Sequence, residues 1–281
     1  MANYQYSDPR FSTDPQTCTL ATTFREVCES GTLEKVVEFV NGHQLNTDYL
    51  THGLDAAISK DRPQVARYLQ ERGARIVEQV ISSARRKKSL SIFQCLVDHG
   101  WNVNTPERGG RYMLPSVVQD ESLTRWFLDQ GADPNLGTDP WLTTSGEYAC
   151  ERPKRGAALN NAADHSTVAV FDLLLERGAK MERSVPLHAA AISVEDAGRI
   201  PMMAHLLELG VDINGSDDVW GPYRRGTPLH HAVAEVHLEK VRFLLENGAD
   251  PHLKNDWGMT PLERAEKRGY QPLLELFEQP S

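Results

Sequence analysis

The feature that most constrains this chain is a phased recurrence. Gly226-Thr-Pro-Leu-His-His-Ala returns as Gly258-Met-Thr-Pro-Leu-Glu-Arg-Ala, which sets Leu229 and Leu262 33 residues apart. A period of this length marks a unit of one supersecondary element, which cannot bury its apolar face alone and must stack on its neighbours. With Leu229 as the anchor, equivalent positions read Phe24, Leu54, Ile81, Leu114, Leu159 and Leu187 upstream and Leu262 downstream. The sequence therefore holds about eight units, the first four departing furthest from the pattern.

Two further columns give each unit its shape. Three residues after the anchors stand Val27, Ala57, Ala84, Val117, Ala162, Ala190, Ala232 and Ala265, side chains small enough for two helices to approach closely. A second helix then ends in an apolar residue followed by glycine: Leu96 and Gly100, Phe127 and Gly131, Leu174 and Gly178, Leu206 and Gly210, Leu244 and Gly248, with Gly42 and Gly73 extending the column. Glycine after the last helical turn is the expected left-handed stop. Asn46, Asn104, Asn135 and Asn214 follow four residues later as turn formers. Thr227 is placed to cap the first helix, and Pro228 suits its first turn, where the missing N–H costs nothing.

The Thr-Pro-Leu-His-x-Ala opening and the Val241-Arg-Phe-Leu-Leu-Glu-Asn-Gly-Ala-Asp ending resemble the ankyrin-repeat family, with a partial copy at Val185-Pro-Leu-His-Ala-Ala. The resemblance implies an all-α solenoid of helix-turn-helix units with β-hairpin-like inter-repeat loops. It also implies that His188 and His230 hydrogen-bond within their own turn and to the next repeat, with a metal site as the other reading.

Departures from regular spacing carry the functional signal. The anchor intervals run 30, 27, 33, 45, 28, 42 and 33. The long ones enlarge the loops near 136–156 and 215–226, and part of the second excess falls in the helix-to-helix turn at Glu195-Asp-Ala-Gly. In the family such loops project as fingers along the concave face. Trp101, Trp141, Trp220 and Trp257 lie in or beside the inter-repeat loops, whereas Trp126 sits in a helix; Arg108, Arg111, Tyr112, Tyr148, Tyr223, Arg224 and Arg225 share the loops. Trp, Tyr and Arg are the types most enriched among binding hot spots. The candidate partner-binding residues are therefore Trp141, Tyr148, Trp220, Tyr223, Arg224, Arg225, Arg111, Tyr112 and Trp257. For Trp257 a structural role, packed back on its own repeat, stands beside the binding one.

The remaining signals exclude more than they add. A net charge of −9 argues against general nucleic-acid binding, which runs on Lys and Arg neutralising phosphates. Cys18, Cys28, Cys95 and Cys150 form no Cys-x-x-Cys pair. The N-terminus lacks the pattern of a secretory signal, and no run is long enough to span a bilayer, so a cytoplasmic or nuclear location is expected. Arg85-Arg-Lys-Lys falls at the turn between two helices, where solvated charges are the norm, with a nuclear-localisation or phosphate-binding patch as the other reading, and Asn214-Gly-Ser reads as a turn. No phosphate loop, zinc pair or nucleophile elbow appears, so no cofactor, metal or catalytic residue is expected. Asp164 and His165, with Tyr148 nearby in sequence, are the one acid/base grouping to set against that.

The sequence thus predicts a flexible tail over 1–16 and a single repeat array over 17–281. The array is expected to be a scaffold gripping another protein through its concave face and its aromatic and arginine-rich loops. The alternative is an atypical enzyme or small-molecule binder using the same groove as a pocket.

Overall fold

The computed structural model describes residues 7–9, 14–108, 110–137, 156–216 and 226–278. They fall into two compact units, Met1–Arg108 and Gly109–Ser281. Each is made of consecutive helix pairs, and no β-strand forms among the described residues.

The first unit pairs α1 (Pro15–Ser30) with α2 (Leu33–Gly42), α3 (Thr47–Ser59) with α4 (Pro63–Glu71), and α5 (Glu78–Lys87) with α6 (Leu90–Asp98). First helices stack on first helices and second helices on second. Short polar side chains start several of them: Asp14 accepts from the Gln16 and Thr17 amides, Thr32 from Lys35, and Asn46 from Asp48 and Tyr49. The first helices come so close that a Cβ on Gly53 would lie 2.5 Å from a Phe24 ring carbon.

A polar knot ties the same three helices. The carboxylate of buried Asp55 on α3 accepts from the Ser83 hydroxyl (2.5 Å) and the Gln79 amide (2.9 Å) on α5, and from Arg25 (3.4 Å) on α1. Arg62, at the start of α4, reaches back to the Val27, Cys28 and Gly31 carbonyls at the end of α1. It satisfies acceptors that a helix C-terminus leaves open and complements the dipole there.

The second unit pairs α7 (Met113–Val117) with α8 (Glu121–Asp129), α9 (Ala157–His165) with α10 (Val168–Glu176), α11 (Pro186–Ile192) with α12 (Ile200–Glu208), α13 (Pro228–Glu235) with α14 (Leu238–Glu246), and α15 (Pro261–Arg268) with α16 (Gln271–Glu278). Here too each class of helix stacks in chain order. The loops enlarged at 136–156 and 215–226 lead into α9 and α13.

The sequence columns reappear as the core. Phe24, Leu54, Ile81, Leu114, Leu159, Leu187 and Leu229 are buried, as are the small residues from Ala57 to Ala265 in the second column. Leu262 and Val27 are half-buried. Leu96, Phe127, Leu174, Leu206 and Leu244 are fully enclosed; each such side chain contributes ~1.5–3 kcal/mol of hydrophobic stabilisation. Gly73, Gly100, Gly131, Gly178, Gly210 and Gly248 take φ between +81° and +100°, the left-handed stop expected of them. Gly42 does not. It is the last residue of α2, and His43 closes that helix instead, its Nδ1 bonded to the Phe39 carbonyl at 2.9 Å and its ring stacked on Phe39.

Candidate interaction surface

The ties between repeats in the second unit determine how firmly its loops are held. Thr227 caps α13 by accepting from the His230 amide, while His230 Nδ1 accepts from the Thr227 amide at 3.1 Å. That fixes the proton on Nε2, which donates to the Met259 carbonyl in the next loop (3.0 Å). Both nitrogens of His230 are thus committed to structure. Thr260 and Glu263 form the same reciprocal cap on α15. His188 Nε2 lies 3.0 Å from the Gly215 carbonyl and 3.1 Å from that of Gly226, at the two ends of the enlarged loop.

Two asparagines of the turn column do more than turn the chain. Asn135 donates to the Gly178 carbonyl and accepts from the Lys180 amide, each at 2.9 Å; Asn214 donates to Gly248 O (3.3 Å) and accepts from the Asp250 amide (2.8 Å). One carboxamide with a donor and an acceptor side by side clamps each loop onto the next.

The loop before α15 ends this series. Asn255 Oδ1 accepts from the Trp257 and Met259 amides, both at 3.1 Å. The Asn255 amide donates to Met259 O, and the Gly258 amide, at φ +72°, donates to Asn255 O. This tight turn is pinned from below by His230, yet the Trp257 side chain at its tip is 50% exposed.

The Thr-Pro-Leu-His cap and the glycine-terminated second helix recur along the sequence, the inter-loop histidine bond is the one the family resemblance implies, and a family comparison agrees with them. The sequence profile for ankyrin repeats matches residues 187–279, in three copies. Those residues are ankyrin repeats. Similar curated proteins include the ankyrin repeat protein nuc-2 of Neurospora crassa, 33% identical over 124 residues, or 42% of this chain and 11% of that protein. A putative ankyrin repeat protein of Escherichia coli, YahD, is 27% identical over 185 residues, covering 63% of this chain and 84% of that one. The 2-5A-dependent ribonuclease of Mus musculus is 38% identical over 73 residues, covering 26% and 9%. The chain spans about a tenth of the length of nuc-2 and of the ribonuclease.

Of the other candidate residues on this array, Arg111 is exposed and Tyr112 half-buried, in the segment leading into α7. Trp141, Tyr148, Trp220, Tyr223, Arg224 and Arg225 lie outside the described residues. Trp101 turns inward and stacks on Phe93 with ring centroids 6.0 Å apart, so it is part of the core. Trp126 meets Phe127 edge-on.

His165 Nε2 sits 3.0 Å from Asp164 Oδ2, but in the last turn of α9. That is about 12 Å along the axis from Ala157, where the enlarged loop enters. Burial pushes the Cys28 thiol up to about 12 and the Cys95 thiol up to about 11, so neither is a thiolate nucleophile at neutral pH. Among the described residues no group of His, Cys, Asp and Glu could hold a metal ion, and no helix is long and apolar enough to cross a membrane.

Proposed function

We propose that this protein is an interaction scaffold that grips another protein along the edge formed by the loops leading into its first helices. Ankyrin repeats are generally protein-interaction modules, and the stacking of α7, α9, α11, α13 and α15 in chain order brings the loops that feed them along one edge of the second unit. Arg111 and Tyr112 precede α7 and Trp257 precedes α15; Trp141, Tyr148, Trp220, Tyr223, Arg224 and Arg225 fall in the enlarged stretches of sequence before α9 and α13 and are proposed to share in the grip.

The observation that carries the reading is Trp257. A fully hydrogen-bonded turn holds the residue, and half of its side chain faces solvent. An indole presented this way loses little conformational entropy on binding. Covering its outer half removes on the order of 100 Å² of apolar surface, or about 2.5 kcal/mol, the range of an interface hot spot.

The test is capture from extracts of the source cells with crosslinking. The wild type is compared with a triple variant, Trp141→Ala, Trp220→Ala and Trp257→Ala, shown by circular dichroism to keep its helix content. The variant is expected to lose the partner; unchanged capture removes these loops from the account. The enzyme reading finds no comparable support, because Asp164 and His165 sit at the opposite end of α9 from its enlarged loop.

A further inference from the structure

The second unit carries one charged residue where its fold calls for an apolar one. The third residue of the second helix faces inward in every pair but the first. It is Val65 in α4, Ile92 in α6, Leu123 in α8, Val170 in α10, Met202 in α12 and Leu273 in α16, all buried. In α2 it is Lys35, which is exposed. In α14 it is Lys240, which is 0% exposed. A buried ammonium in an apolar column costs stability, and such charges are kept in some proteins because they specify one arrangement of the chain.

The arrangement Lys240 specifies is that of the lengthened turn between α11 and α12. Its Nζ donates to the carbonyls of Ser193 and Ala191 at the end of α11, the latter at 3.5 Å. From the same turn Asp196 reaches forward to the start of α14, where its carboxylate accepts from the Glu239 amide (3.2 Å) and the Lys240 amide (3.1 Å). His237, the residue before α14, makes no side-chain cap of its own, so a carboxylate borrowed from the preceding repeat does that work. The charged groups around the ammonium are Asp164 from α9, Glu195 and Asp196 from the turn, Arg199 before α12, and His237 on its own segment. Arg199 is engaged elsewhere, on the Ser166 carbonyl and Glu195. At the tip of the turn Val194 is 86% exposed.

We infer that Lys240 is a charge-operated latch: its ammonium fastens the turn Ser193–Arg199 onto the next repeat, and loss of that charge frees the turn together with the outward-facing side chain of Val194. Two carboxylates of the turn, Glu195 and Asp196, face the positive charge together with Asp164 on α9, and two carbonyls accept hydrogen bonds from its N–H groups. A neutral amine keeps its place in the apolar column but no longer attracts Asp196, Glu195 and Asp164. Burial holds this lysine down at about 8, so the charge is lost within a mildly alkaline range. An ordinary lysine keeps it there.

The experiment uses the full chain, with lysine labelled at Cε and valine at its methyl groups, titrated by NMR from pH 6.5 to pH 9.5. In the wild type the Val194 methyl shifts are expected to follow the Lys240 Cε titration with the same midpoint. Exchange of the Glu239 and Lys240 amides, corrected for the intrinsic pH dependence, is expected to rise at least tenfold across it. Lys240→Met is expected to show the fast exchange already at pH 6.5, independent of pH, with a melting temperature equal to or above that of the wild type. Asp196→Ala provides a second variant in which the buried column is intact: its Lys240 still titrates, while the Glu239 amide exchanges fast at every pH. Val194 signals that ignore the Lys240 titration overturn the inference, as does Lys240→Met with undiminished amide protection. A Lys240→Met chain that melts well below the wild type also overturns it, because the lysine is then a support of the fold and not a latch upon it.

Discussion

Lys240 should make stability rise with pH, the reverse of a lysine whose ammonium is held by an exposed ion pair, and Lys240→Met should remove that dependence. The lysine is fully enclosed, and burial brings it from an ordinary 10.5 to about 8 in the folded protein. The folded state therefore binds this proton less tightly than the unfolded chain does. Below pH 8 the whole cost of the buried charge is present. As pH rises toward 10.5 the cost disappears, and stability is gained. A difference of about 2.5 pH units corresponds to about 3 kcal/mol, of which roughly 2.5 kcal/mol is recovered between pH 7 and pH 10. Urea unfolding of wild type and Lys240→Met at the two pH values isolates this contribution, because other titrating groups cancel in the comparison. The wild type is expected to gain about 2 to 3 kcal/mol relative to the variant on going from pH 7 to pH 10. A gap between the two proteins that stays constant with pH, or that moves the other way, would refute the assignment of a buried ammonium to this column.

The other expected outcomes follow from single contacts. Asp55→Ala breaks the knot joining α1, α3 and α5 and leaves the Ser83 hydroxyl and Gln79 amide without their acceptor; a loss of about 3 kcal/mol in urea unfolding is expected. Asn214→Ala removes both halves of the clamp to Gly248 and Asp250, which should cost ~1–3 kcal/mol and speed exchange of the Asp250 amide. Trp257→Ala, by contrast, should leave stability within ~0.5 kcal/mol, since half the side chain is already in water; a substantial loss, read by the same unfolding assay, would make Trp257 a support of the fold.

What could be read from the sequence was whatever recurs within one repeat. The anchor leucines, the small residues three positions on and the glycines after the second helix are local and periodic, and the structure buries or turns them accordingly. Gly42 departs from the pattern because a glycine permits a left-handed stop but does not impose one: His43 supplies the carbonyl's partner and ends α2 by another route. The Asp55 knot and the two asparagine clamps stayed hidden because their partners lie 24 to 45 residues away, and composition does not show which polar groups will meet. Lys240 was within reach of the sequence. Aligning the third residue of each second helix places it in a column with Val65, Ile92, Leu123, Val170 and Met202. On the interaction edge, Trp101 and Trp257 looked alike as loop tryptophans. One stacks on Phe93 and the other faces solvent, a distinction that depends on the tertiary placement of each loop.

The central claim is that the loop edge of the second unit is where a partner is held. Site-specific photo-crosslinking tests it most directly, with a benzophenone amino acid placed in turn at Trp257, at Tyr112, and at His205 on the second helix α12. Crosslinks to one and the same protein from positions 257 and 112, with none from 205, are the expected result. Crosslinks from position 205 alone would contradict it and move the binding surface to the second helices.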